Sequence, residues 1–259
     1  MLSYTQQVSK HSKTDAIIAL GFFAYFILRD FAVSLIYAQF NLSAQVWWSL
    51  IAATCVVDIL LVFAIVKLRK QSLASIGLHK QKLWAALGFG LCFAPIFLLQ
   101  RVAQGTIVGW TFAPFGSFLF SLMSVTLWAV REDISFVGFI QTRLHGLVKH
   151  EARAINVGAA LFALAHVPFR LVQGIPMGGM MFMLLLVNWF FMHRAFVLLL
   201  KKHYSLAPVF VMHVASNFPG LWQGDSALAW WWVAIPTVVF CLAVELWHGR
   251  WNKPKHTLS

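Results

Sequence analysis

The sequence is poor in charge, and above all in negative charge: 8 Asp and Glu stand against 20 Lys and Arg in 259 residues, and charged residues make up 11% of the chain. A soluble domain carries about a quarter charged residues. A chain that is 60% hydrophobic with so few charges is therefore not a soluble globular domain. Cysteine is scarce as well. Cys55, Cys92 and Cys241 are scattered through apolar runs without a CxxC pair, so neither a disulfide framework nor a thiolate metal site is indicated. A GxSxG nucleophile turn and an HExxH metal helix are both missing. So are low-complexity tracts, internal repeats and any segment resembling a separate soluble domain.

What is present is apolar sequence in lengths that cross a bilayer. Stretches of roughly 20 apolar residues span the hydrocarbon core as helices. Eight are found, at about 16–39, 46–66, 83–100, 115–143, 154–171, 178–200, 205–222 and 227–247. The expected fold is all-α: a polytopic helical bundle of about eight transmembrane helices, with residues 1–259 as one membrane domain. The first stretch is too long for a signal-peptide core and reads as a retained span.

The formal charge of +12 would suggest nucleic acid as partner in a soluble protein. Here the basic residues fall in alternate connections: Lys10 and Lys13; Lys67, Arg69, Lys70, Lys80 and Lys82; Arg143, Lys149 and Arg153; Lys201 and Lys202; Arg250, Lys253 and Lys255. The other connections carry only Arg101 and Arg170. The partner is the lipid bilayer, not nucleic acid. By the positive-inside rule, both termini are expected on the cytoplasmic side. The segment 67–82 is expected to lie along the membrane surface, and His145, His150, His193 and His203 near that interface.

Ionisable residues within a span face the protein interior and mark function. Three spans supply such groups: Glu132 and Asp133, His166, and His213 with Asn217. Counted from Arg143, Arg153 and Lys202 at about 1.5 Å per residue, Glu132, His166 and His213 lie roughly 16–20 Å in from one side. One carboxylate and two imidazoles thus share a layer. His213 and Asn217 are four apart and share a helix face, as do Phe162 and His166. Glu132 and Asp133 point about 100° apart on an α-helix. One is expected to be catalytic, the other a support. Arg29 with Asp30, and Asp58, read as structural pairs or pore-facing supports.

"EDISFVGFIQTRL" (132–144) resembles the first motif of the CPBP intramembrane proteases, the Abi or CAAX prenyl protease type II family, which is Glu-Glu-x-x-x-Arg. "FALAH" (162–166) is similar to the second motif, Phe-x-x-x-His, and "HVASN" (213–217) to the third, His-x-x-x-Asn/Asp. The likeness covers about 72–222. Two positions depart: the second Glu is Asp133, and the motif Arg falls on Val137. Arg131 and Arg29 are the candidates to replace that Arg through space.

The resemblance implies an intramembrane glutamate-type peptidase. Glu132 and His166 would activate water, and His213 and Asn217 would bind the oxyanion. Asp133 would orient the surroundings of Glu132 or His166, and Phe162 and Phe136 would line the substrate site. It implies no cofactor or metal. Zinc is the competing reading, because a carboxylate and two His form a zinc ligand set. The substrate would be a peptide or membrane-proximal protein segment, cleaved at a site opening toward the cytoplasm, and the setting a prokaryotic inner membrane. Two other readings remain at this stage. One is a catalytically silent immunity or scaffold protein, with Val137 marking lost activity. The other is a proton-coupled transporter using Asp30, Asp58 and Glu132. Substrate identity and oligomeric state are not legible in the sequence.

Overall fold

The computed structural model describes residues 3–40, 42–81, 83–99, 115–172, 179–217 and 227–251. Among these there is no strand, and each of the eight apolar stretches holds helix. The elements that matter below are α1 (Tyr4–Val8), α2 (Lys13–Phe40), α3 (Ala44–Leu68), α4 (Leu83–Leu91), α5 (Phe115–Glu132), a π-helix (Asp133–Ile140), α6 (Gln141–Leu144), α7 (Glu151–Ala165), α8 (Val167–Val172), α9 (Gly179–His203), α10 (Ala207–Ser216) and α11 (Ala227–Trp251). Among the described residues, four helices are long and apolar enough to cross a membrane: Lys13–Phe40, Val46–Leu68, Glu151–Val172 and Phe182–His203. Leu83–Leu99, Ala207–Ser216 and Thr237–His248 are shorter apolar helices. The chain is an integral membrane helical bundle, and lipid accounts for the large apolar side chains on its outside, such as Leu28, Leu60 and Leu246.

Four of the five connections read as basic meet at one end of the bundle; Lys253 and Lys255, of the fifth, lie outside the described residues. Asp15, at the start of α2, accepts from Arg69 Nε at 2.9 Å and Gln71 Nε2 at 3.0 Å. Glu151 accepts from Thr5 and pairs with Lys201. Arg143 is buried and donates to Ser75 O, Ser75 Oγ and Gln71 Oε1 at 2.6–3.1 Å. Tyr204 donates to the same Ser75 carbonyl at 2.8 Å. The segment 67–82 does not simply lie along the surface. Its 3-10 turn (Leu73–Ile76) drives Ile76 into the core, and the chain leaves it through Gly77 in the left-handed region, φ 80°.

The π-helix follows Glu132 directly, and every residue from 131 to 146 is buried. A π-turn leaves carbonyls off the i−4 ladder, and these need other donors. Thr142 Oγ1 donates to Gly138 O at 2.6 Å, and Arg143 Nη1 reaches the same oxygen at 3.4 Å. Gly138 also admits the Ile76 carbonyl, which would lie 2.8 Å from a Cβ there. A ladder of edge-to-face rings holds the segment to its neighbours: Phe22 on Phe139, Phe26 on Phe136 and Phe136 on Phe162, with centroids 5.6, 4.9 and 5.3 Å apart.

α10 is held close to α4 because Gly90 lies against the backbone of Pro208, whose Cα would be 2.8 Å from a Cβ at residue 90. Gly90→Ala therefore has to push α10 away. It should cost about 1–3 kcal/mol, read as earlier thermal exposure of the buried Cys55 and Cys241 thiols to an alkylating dye.

The connection between α1 and α2 buries His11, whose Nε2 has no hydrogen-bond partner among the described residues. Burial first, then the nearby Arg143 guanidinium, push this imidazole from 6.5 down to about 3. Between those two values the undocked chain takes up the proton and the docked chain does not. The contribution is therefore fully present above pH 6.5 and is lost as pH falls toward 3. Amide protection of residues 3–12 should drop between pH 7 and pH 5, and His11→Leu should flatten that drop.

Candidate functional site

α5 delivers Trp128 and Glu132 one turn apart, and Trp128 Nε1 donates to Glu132 Oε1. Arg131 Nη2 donates to the same oxygen at 2.9 Å. With Oε1 occupied twice, Oε2 is the atom that faces the two imidazoles. It lies 3.6 Å from His213 Nε2 and 3.9 Å from His166 Nε2. Glu132 is 4% exposed, so this arrangement is interior to the protein.

His166 sits at a helix break. α7 ends at Ala165 and α8 resumes at Val167, with Pro168 removing one backbone donor. The His166 amide turns back to Ala163 O at 3.2 Å. The Phe162 carbonyl is then available to accept from His166 Nδ1 at 2.8 Å. A carbonyl only accepts, so Nδ1 carries the proton and Nε2 looks toward Glu132. The ring is stacked on Trp189, centroids 4.2 Å apart, with Phe162 edge-on at 4.8 Å.

His213 Nδ1 donates to Asp133 Oδ1 at 2.8 Å. Of the two roles expected for Asp133, the geometry gives the one at Glu132 and not the one at His166: Asp133 holds His213, whose other nitrogen faces Glu132. Both carboxylates reach the same imidazole, one at each nitrogen, because the ring itself spans the angular gap between neighbouring residues. Asn217 caps α10, and its amide donates to His213 O at 3.0 Å.

Glu132, Phe162, His166, His213 and Asn217 line one cavity of about 380 Å³ together with Trp48, Phe97, Trp128 and Arg170. A second chamber of about 250 Å³ lies beside it, and Glu132, His166, Trp128, Trp48 and Arg170 border both. Phe136 lines this second chamber with Phe26, Asp30 and Phe169. Arg170 stands at both, its guanidinium 5.8 Å from the Phe169 and Trp189 ring centres.

The direction of the cavity differs from the sequence expectation. Val125 and Trp128 precede Glu132 on α5, Arg170 follows His166, Leu185 and Trp189 precede Met192 on α9, and Asn217 follows His213. All lie on the side of the Glu132 layer away from the basic end. The cavity thus extends from the Glu132 layer away from the basic end, the end toward which the sequence led us to expect the opening.

Val137 is fully buried among apolar neighbours, and no guanidinium reaches Asp133 among the described residues. Arg131 pairs with Glu132 instead, and its Nη1 lies 3.8 Å from Asp30 and 3.9 Å from Asp58. Arg29 pairs with both of those aspartates. Asp30 and Asp58 are thus parts of one cluster with Glu132 and not separate pairs. His193, expected near the interface, is wholly buried, stacked on Phe162 and facing Gln141 Oε1 at 3.2 Å. Among the described residues, no three of His, Cys, Asp and Glu are arranged to hold a metal ion. Sequence reasoning missed Trp128, Trp189 and Arg170. The four-residue spacings to Glu132 and His166 would have found Trp128 and Arg170, whereas nothing in the sequence marked Trp189.

Two comparisons, with curated proteins and with solved structures, return no match. A third does. The family model described as type II CAAX prenyl endopeptidase Rce1-like matches residues 114–219, a stretch that takes in all three motifs and leaves Arg29, Asp30 and Asp58 outside it. Over residues 114–219 the chain is similar to this CAAX-protease family of membrane endopeptidases.

Proposed function

We propose that the protein is an intramembrane peptidase in which Glu132 and His166 activate a water molecule for attack on a peptide carbonyl. The observation that carries this reading is the placement of Glu132 Oε2, 3.9 Å from His166 Nε2, on the wall of a cavity of about 380 Å³. One water bridges such a gap at about 2.8 Å to each partner. Glu132 takes the proton as the water oxygen bonds to the carbonyl carbon, and returns it to the amine nitrogen as the C–N bond breaks.

The oxyanion then needs donors. His213 spends its Nδ1 proton on Asp133. Its Nε2 donates only when the ring is an imidazolium, a state that the carboxylates at either nitrogen favour. Asn217, on the same cavity wall, offers its side-chain amide as the second donor. Phe162 and Phe136 form apolar walls of the two chambers that meet at Glu132. The chemistry uses no metal or cofactor. With the basic end cytoplasmic, the substrate is a peptide or membrane-proximal segment presented from the opposite face.

The test is cleavage of an internally quenched peptide library by the purified protein, read by mass spectrometry with and without a chelator. Glu132→Gln, His166→Ala and His213→Ala should each lower turnover by about 10²–10⁴-fold while leaving thermal unfolding near that of the parent. Full cleavage by Glu132→Gln, or loss under chelation that zinc restores, would overturn the reading.

Asp133→Asn tests the imidazolium separately. The amide keeps the shape but not the charge that favours His213 in its cationic form. kcat should fall about 100-fold with KM held within a few-fold. An unchanged kcat would remove His213 from the oxyanion role.

A further inference from the structure

The charges behind Glu132 do not belong to the family motifs. Arg131 is 1% exposed and Asp58 is wholly buried. Arg131 Nη2 holds Glu132 Oε1, while its Nη1 faces Asp30 on α2 and Asp58 on α3. Arg29 closes the cluster by pairing with both aspartates, and Tyr25 donates to Asp58 at 3.2 Å. The guanidiniums are also held from the side. Both lie over the Phe26 ring, at 4.5 and 4.7 Å, and Arg131 lies 5.0 Å from the Trp128 ring centre. Two guanidiniums thus face Asp30, Asp58 and Glu132, while the imidazole of His213 answers Asp133.

We propose that Asp30 and Asp58 are positioning residues for the peptidase reaction, acting on Glu132 through Arg131. This rests on the reading of Glu132 as the water-activating base. The physical reason is directional. Paired with Glu132 alone, a guanidinium would be free to take both carboxylate oxygens in a fork. Drawn by two aspartates on the far side, Arg131 presents only Nη2 to Glu132 and takes only Oε1. Oε2 is left aimed at the imidazoles. The motif Arg missing at Val137 would have stood one turn after Asp133. Here His213 holds Asp133, and Arg131 holds Glu132.

A buried cluster loses stability when one charge is removed alone, but much less when a pair is removed together. The test therefore compares Asp58→Asn and Arg131→Gln with the charge-neutral pair Arg131→Gln/Asp58→Asn, all in the full chain. With a peptide selected from the library above, Asp58→Asn should lower kcat about tenfold with KM unchanged, because Glu132 acts on water and not on the peptide. Arg131→Lys should recover part of the activity lost in Arg131→Gln. In the Arg131→Gln background Asp58→Asn should cost nothing further, since its route to Glu132 is gone. An equal loss with and without Arg131 would overturn the proposal and leave Asp58 a packing residue.

A second arm needs no turnover. Dicyclohexylcarbodiimide modifies protonated carboxyls in apolar surroundings. Glu132 should resist it at pH 7 in the parent and label at least about fivefold more in Arg131→Gln/Asp58→Asn, as read by peptide mass spectrometry. Equal labelling would overturn the ion-pair link even if no peptide is ever cleaved. Normal labelling differences with no cleavage would instead count against the peptidase reading alone.

Discussion

A carboxylate taken out of water into the middle of a bundle costs several kcal/mol unless its charge and lone pairs are answered. Glu132 is that carboxylate, and much of the surrounding structure answers it. Trp128 and Arg131 hold one oxygen. The other is shared by two imidazoles, each fixed from behind, His213 by Asp133 and His166 by a backbone carbonyl released at a helix break. The aromatic residues complete the shell. Trp189, Phe162 and Phe26 press on the rings and guanidiniums, so that charged groups keep one geometry without solvent around them.

The family match and the fold give this arrangement a chemical setting. The motifs in residues 114–219 supply the acid, the imidazoles and the amide. The first two long helices, outside that stretch, supply Arg29, Asp30 and Asp58. With Val at 137 where the motif has Arg, the guanidinium beside the acidic pair is that of Arg131, on Glu132, and Asp133 is held by His213.

Much of this was legible in the sequence. The apolar stretches fell on helices because a bilayer imposes length, and length is readable. The shared depth of Glu132, His166 and His213 was readable too, since each lies a countable distance from a basic anchor. Other features depended on contacts between distant segments. The pairing of Asp133 with His213 joins residues 80 apart. Arg131 reaches helices that begin more than 60 residues earlier, so no local spacing exposes the link. The cavity's direction depends on which flank of each helix is left uncovered, and a periodic apolar pattern in lipid does not distinguish flanks. Arguing from 100° per residue also presumed an α-helix where the chain turns more widely.

That wider turn sets a phase. Between Glu132 and Arg143 the chain must bring a reactive acid inward at one level and an anchoring guanidinium inward at another, and the π-helix supplies the rotation that satisfies both. Val137, between them, packs within the apolar core. Shortening the run by a single residue would unwind that offset and swing Arg143 off Ser75 and Gln71. Sequence drift in this stretch is thus constrained in residue number more tightly than in residue identity.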